Sequence, residues 1–239
     1  MARILNIETS SKICSVAVTS DGMIEYHIES EGEMEHAKLL GVYVDKALEE
    51  MTRREVELDA VAISSGPGSY TGLRIGMSLA KGLCFAKDIP LITVPTLEIL
   101  ATKAMFGIRD PQGDELLIPL IDARRMEVYC AVYDFALNTI QVPEAKILDE
   151  NSFKNLMDDN KCIFIGDGVT KAKELIKHKN AIFATNIMPI AIDMTALSER
   201  AYRNGNFADI AYVTPNYLKD YQATVAKNKV LAEVVSHNK

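Results

Sequence analysis

The run Gly66-Pro67-Gly68-Ser69-Tyr70-Thr71-Gly72 follows an apolar stretch and opens a helix-like one. At such a junction the free N–H groups of a first helical turn and the helix dipole favour an anion. The spacing is GxGxxxG rather than the dinucleotide GxGxxG, and no Gly-Lys-Ser/Thr ending marks a Walker loop. Pro67 also removes one amide donor from any phosphate cradle. The run fits either a tight strand-to-helix turn with no ligand or a phosphate- or nucleotide-binding loop. Glu8 and Asp122 each end an apolar run, where a carboxylate could hold a hydrated Mg²⁺ or satisfy turn amides. With Ser10, Gly66, Gly68 and Ser69 they make up the candidate nucleotide-binding site.

Metal and nucleophile chemistry find less support. His27, His36, His178 and His237 include no pair spaced i+3, i+4 or i+5, so no HxxxH or HExxH site is present and no metal site is expected. Ser10 or Cys14 as nucleophile would need a base, and only His27 or His36 could come near. Cys14, Cys84, Cys130 and Cys162 are scattered without a CxxC pair in apolar surroundings, which points to core packing in a reducing compartment.

The elements that must position these residues alternate. Residues 4–10, 13–19 and 23–30 read as three strands joined by tight turns, the second at Asp21-Gly22. A helix over 36–50, a strand over 59–64, a helix over 71–86, a strand over 90–94 and a helix over 96–105 follow. Strands alternating with helices require parallel pairing in that half. Residues 110–113, Asp-Pro-Gln-Gly, form the best linker. The pattern then restarts: residues 116–122 match 4–8 in ending on an acid, residues 128–133 form the next strand, and Ile163-Phe164-Ile165-Gly166-Asp167-Gly168 matches the strand and glycine loop at 61–68. Two similar α/β lobes are expected, over 1–106 and 114–239, with a tail from about 215 returning to the first.

The 239 residues are 48% hydrophobic and 25% charged, enough for a packed core. Lys and Arg number 26 against 33 Asp and Glu, a net charge of −7. An acidic chain is no self-sufficient nucleic-acid binder unless its basic groups cluster. Lys171, Lys173, Lys177 and Lys179 on one helix, and Lys219, Lys227 and Lys229, are interrupted by Glu174 and Asp220 and read as solvated faces. No apolar run of about 18 residues exists to span a membrane. Glu8 falls where a signal peptide needs its apolar core, so a cytoplasmic location is expected.

Two helices invite a docking role. Gly72, Gly76 and Ala80 recur every four residues, and each interior glycine costs a helix about 1 kcal/mol relative to alanine. Leu39, Leu40, Tyr43 and Val44 widen the apolar arc of the preceding helix beyond one contact. A broad intradomain core would explain both; so would a helix-on-helix face for another subunit.

The run Ser65-Gly66-Pro67-Gly68-Ser69-Tyr70-Thr71-Gly72-Leu73-Arg74-Ile75-Gly76 resembles the SxGPGSFTGLRIG signature of the bacterial TsaB family. Residues 6–10 (Asn-Ile-Glu-Thr-Ser), 60–62, 95–98, 122–129 (Asp-Ala-Arg-Arg-Met-Glu-Val-Tyr) and 215–220 extend the resemblance along the whole chain. It implies an α/β ASKHA (actin/hexokinase/Hsp70-like, ribonuclease H-like) fold with two similar lobes around a cleft. It also implies a non-catalytic scaffold supporting TsaD, the subunit that transfers threonylcarbamoyl to N6 of the adenosine beside the anticodon of ANN-decoding tRNAs. TsaD would be the heterodimer partner, with the ATPase TsaE joining, tRNA reached through the complex, and a homodimer forming in isolation. Leu39, Leu40, Tyr43, Val44, Gly72, Gly76 and Ala80 would form the docking surface. No cofactor is required on this reading, and weak ATP or ADP binding at the cleft or subunit boundary is allowed. The competing expectations are a stand-alone M22-like metallopeptidase or hydrolase, against which the missing histidine pair counts, and a weak nucleotide-binding homodimer.

Overall fold

The computed structural model describes residues 2–30, 35–108 and 111–219. Asp110 of the expected linker, Lys227, Lys229 and His237 lie outside them.

The first sheet takes β1 (Arg3–Glu8), β2 (Ser15–Ser20), β3 (Met23–Glu29), β4 (Ala60–Gly66) and β5 (Leu91–Pro95) in the order β3-β2-β1-β4-β5. β1 pairs antiparallel with β2 and parallel with β4, so the meander and the crossover half meet on one central strand. The second sheet repeats the plan. β6 (Glu115–Asp122), β7 (Glu127–Tyr133), β8 (Thr139–Ile147), β9 (Lys161–Ile165) and β10 (Ala181–Ala184) run β10-β9-β6-β7-β8. β6 is antiparallel to β7 and parallel to β9. The duplicated strand order, with three meander strands and two parallel additions each time, is the two-lobed ASKHA arrangement.

The helices follow from their apolar spacing. α1 (His36–Arg53) buries Leu40, Val44, Ala47 and Met51, a stripe that carries it a turn beyond the expected end. α2 (Tyr70–Lys87) buries Gly72, Leu73, Gly76, Met77, Ala80 and Cys84 on the same face of the first sheet. α3 (Thr96–Gly107) is buried nearly all round because both sheets cover it. Its Leu97, Leu100, Ala101 and Ala104 meet Leu117, Ala131 and Ile163 of the second sheet, while Ile99 joins Ile4, Ala62 and Ile92 of the first. Two short helices, α4 (Lys154–Asp159) and α5 (Val169–Leu175), serve the second sheet.

The chain then crosses back. A 3-10 turn (Ala191–Met194) and α6 (Thr195–Arg203) lay Met194 and Leu197 on Ile4, Ala60 and Val94 of the first sheet. Ala208 bridges to Leu91 on β5, and Lys81 of α2 donates to the carbonyls of Ala211 and Val213. The described chain ends at Lys219, beside Glu127.

Candidate functional site

The glycine loop joins β4 to α2, and its glycines are there because backbone comes close. Ser69 caps α2, its Oγ accepting the Gly72 N–H at 3.2 Å, while its carbonyl accepts the Leu73 N–H at 2.9 Å. Ser69 gives its own N–H to the Ser10 carbonyl at 2.6 Å. A Cβ on Gly68 would stand 2.3 Å from that same Ser10 oxygen. Gly66 is covered by the returning chain: Asn216 donates its N–H to Ser65 O at 2.7 Å, and a Cβ on Gly66 would lie 2.7 Å from Asn216 O. Tyr217 packs beside Tyr70 with ring centroids 5.0 Å apart. The amides of Ser69, Gly72 and Leu73 are thus committed within the chain, and Pro67 has none to offer. These contacts build a tight strand-to-helix turn.

Glu8 is fully buried at the end of β1. Its Oε1 accepts the Ser10 N–H at 2.5 Å, and its Oε2 has no partner among the described residues. Burial pushes its carboxyl up to about 7, the Asp193 charge adding to the effect while Ser10 and Ser64 hold it back. Asp122 is elsewhere, on the second sheet and partly exposed, accepting the Arg124 N–H at 2.6 Å and pairing with Lys171 at 2.9 Å. Glu8 is thus a desolvated carboxyl at the end of β1, and Asp122 a salt-bridged one at the end of β6.

The small-residue face of α2 turns inward. A Cβ on Gly72 would meet Thr9 O at 2.1 Å, and one on Gly76 would meet Thr9 Oγ1 at 2.3 Å and Ile63 at 2.9 Å. Leu40, Val44 and Ala80 are buried in the same core. Of the seven residues expected to face a partner, these five pack within the first lobe, because α2 needs small residues to approach the β1–β2 turn. Leu39 and Tyr43 remain half-buried at the surface. Val42, which also widens the α1 arc, is 49% exposed; on α2 the off-stripe positions Ile75, Leu79 and Leu83 are half-buried and Phe85 is 83% exposed, and these four were outside the expected docking set. The missed signal was the set of apolar residues lying off the buried stripe of each helix.

Other expectations resolve more simply. His36 is buried at the start of α1 with its Nε2 3.3 Å from Ile13 O, and Leu40 occupies the position one turn on. Among the described residues no cluster of three or more His, Cys, Asp or Glu could hold a metal ion. All four cysteines are buried and free, and burial pushes Cys14, Cys130 and Cys162 up to about 12 and Cys84 to about 11, so none is a ready thiolate. The four lysines expected on one helix are not: α5 ends at Leu175, before Lys177 and Lys179, and Lys171 is drawn in to Asp122. Among the described residues no helix is long and apolar enough to cross a membrane.

The family model described as TsaD, tRNA N6-adenosine threonylcarbamoyltransferase, matches residues 30–235. The tRNA threonylcarbamoyladenosine biosynthesis protein TsaB of Buchnera aphidicola subsp. Schizaphis graminum (strain Sg) is 31% identical over 175 residues, covering 71% of this chain and 80% of that protein. This chain belongs to the TsaB family. The protein of the same name from Escherichia coli (strain K12) is 29% identical over 224 residues, covering 91% of this chain and 95% of its own. The solved structure of YeaZ from Pseudomonas aeruginosa superimposes with a TM-score of 0.77 at 26% identity, over 91% of this chain and 100% of that one. Family membership and fold agree: a TsaB chain matched by the TsaD model carries the duplicated ASKHA lobes.

Proposed function

We propose that this chain serves tRNA threonylcarbamoyladenosine biosynthesis as a non-catalytic scaffold that docks the transferase TsaD through the outer face of α1 and α2. The observation that carries the reading is that face. Val42 and Phe85 are exposed and Leu39, Tyr43, Ile75, Leu79 and Leu83 half-buried, apolar side chains left off the buried stripes of two packed helices. An apolar face of this kind marks a protein contact. The match to a TsaD model supports a partner built on the same helix pair, so that two related lobes face one another. The spending of the Ser69, Gly72 and Leu73 amides within the chain supports a subunit in which this loop shapes a turn rather than performing chemistry. On this reading TsaE joins the pair, the assembly works in the cytoplasm where tRNA is found, and a second copy takes the same face when TsaD is absent.

The test is modification of an ANN-decoding tRNA transcript by TsaD, TsaE and the acyl donor's synthase from the same organism, with this chain present or omitted. Modification that requires the chain, with none made when TsaD is left out, is the expected result; omission without effect overturns it. For the surface, Val42→Glu with Phe85→Glu is expected to leave the melting temperature nearly unchanged and weaken co-elution with TsaD by about tenfold or more. Intact co-elution of that variant removes this face as the docking site.

A further inference from the structure

The turn between β6 and β7 carries two consecutive arginines in an unusual backbone state. Arg124 has φ +69° and Arg125 φ +50°, the left-handed region that glycine and asparagine enter most cheaply. The turn is closed by the Ala123 N–H donating to Glu127 O at 3.1 Å and the Glu127 N–H donating to Arg124 O at 3.2 Å. Both side chains are exposed, and neither guanidinium has a hydrogen-bond or ion-pair partner among the described residues. For folding alone, arginine is the costlier choice at both positions.

The charges around the turn explain what the arginines are left to do. Lys171 pairs with Asp122 at 2.9 Å, and Lys219 pairs closely with Glu127. Each lysine takes up one carboxylate of the turn, and Asp167 accepts the Asp122 N–H at 2.8 Å, so none of these three acids is paired with either guanidinium group. Lys219, held to the turn by Glu127, leads back along the chain to aromatic rings. Two residues before Lys219, Tyr217 is 41% exposed and packs on Tyr70, whose ring lies 5.3 Å from the Arg74 guanidinium. Planar guanidinium forks match phosphate oxygens two at a time, and rings flanked by arginine suit an unpaired base.

We infer that the Arg124–Arg125 turn is a direct contact for the phosphodiester backbone of tRNA. This rests on the tRNA-modification reading above and deepens it: the subunit that holds TsaD also holds the substrate. It also answers the charge problem, since an acidic chain binds RNA only where cations are gathered and unspent.

The test uses the full chain, alone and assembled with TsaD of the same organism, and a fluorescent ANN-decoding tRNA transcript titrated over a range of KCl. The variant is Arg124→Asn with Arg125→Asn, which keeps residues that tolerate positive φ. Its melting temperature is expected to equal or exceed that of the native chain. Its tRNA affinity is expected to fall about tenfold near physiological salt, with the log–log salt dependence shallower by about 1.5, as for two lost phosphate contacts. Arg124→Gly with Arg125→Gly provides the same reading if the asparagines disturb the turn. Unchanged affinity and salt dependence overturn the inference and leave the docking reading intact. Calorimetry with ATP separates the sources of phosphate: loss of ATP binding in the variant, with tRNA binding unchanged, assigns the turn to a nucleotide and overturns the RNA contact. If the native chain fails to co-elute with TsaD, the scaffold reading fails, and the titration of the chain alone decides the turn.

Discussion

Glu8 shows how a single buried carboxyl sets a pH dependence. Its ordinary value is 4.5, and burial carries it to about 7 with one oxygen left unpartnered. The folded state therefore holds this proton more tightly than the unfolded chain does. That contribution is fully present below about pH 4.5 and is lost as pH rises through about 7, a displacement equivalent to about 3 kcal/mol. Glu8→Gln, which mimics the neutral carboxyl, is expected to match the native chain at about pH 3.5 and to be more stable by about 3 kcal/mol at about pH 8.5. Urea unfolding at the two pH values measures this directly; equal stabilities at pH 8.5 would contradict it. Glu8 was visible in the sequence as an acid ending a strand, but its desolvation was not, because that depends on the turn around Asp193 closing over it from far along the chain.

At the scale of an element, α2 combines a cap, a small face and apolar side chains off its buried stripe. Ser69 supplies the cap, and Ser69→Ala is expected to lower stability by about 1 kcal/mol, read from the urea midpoint, with TsaD co-elution retained. The four-residue spacing of Gly72, Gly76 and Ala80 was legible in the sequence; the direction it faces was not. Small residues permit close approach to anything, whether partner or own backbone, and the contact with Thr9 decides in favour of the backbone. The outer positions Leu79 and Phe85 were hidden by the converse logic, since a helix with two apolar faces does not announce which one the sheet will take. The duplicated lobes were legible because a strand ending in an acid, a turn and a second strand recur as a pattern that needs no side-chain detail.

At the scale of the whole molecule, the lobes are bound by α3 between the sheets and by the returning chain on the first sheet. Met194, fully buried against Ile4 and Ala62, is the centre of that return. Met194→Ala is expected to cost about 2–4 kcal/mol and to lower a single cooperative thermal transition; separate melting of two halves would show instead that the return does not couple them. The sequence by itself determined the element types, the repeated strand plan, the absence of a histidine pair and the family signature. Each of these is carried by local spacing, turn residues and composition. Only the tertiary structure decided that the glycine loop is held against Ser10 and Asn216, that five of the seven expected docking residues are core, and that two turn arginines are unpaired. Burial, close approach and charge pairing depend on segments hundreds of ångströms of extended chain apart, and no local pattern encodes which of them will meet.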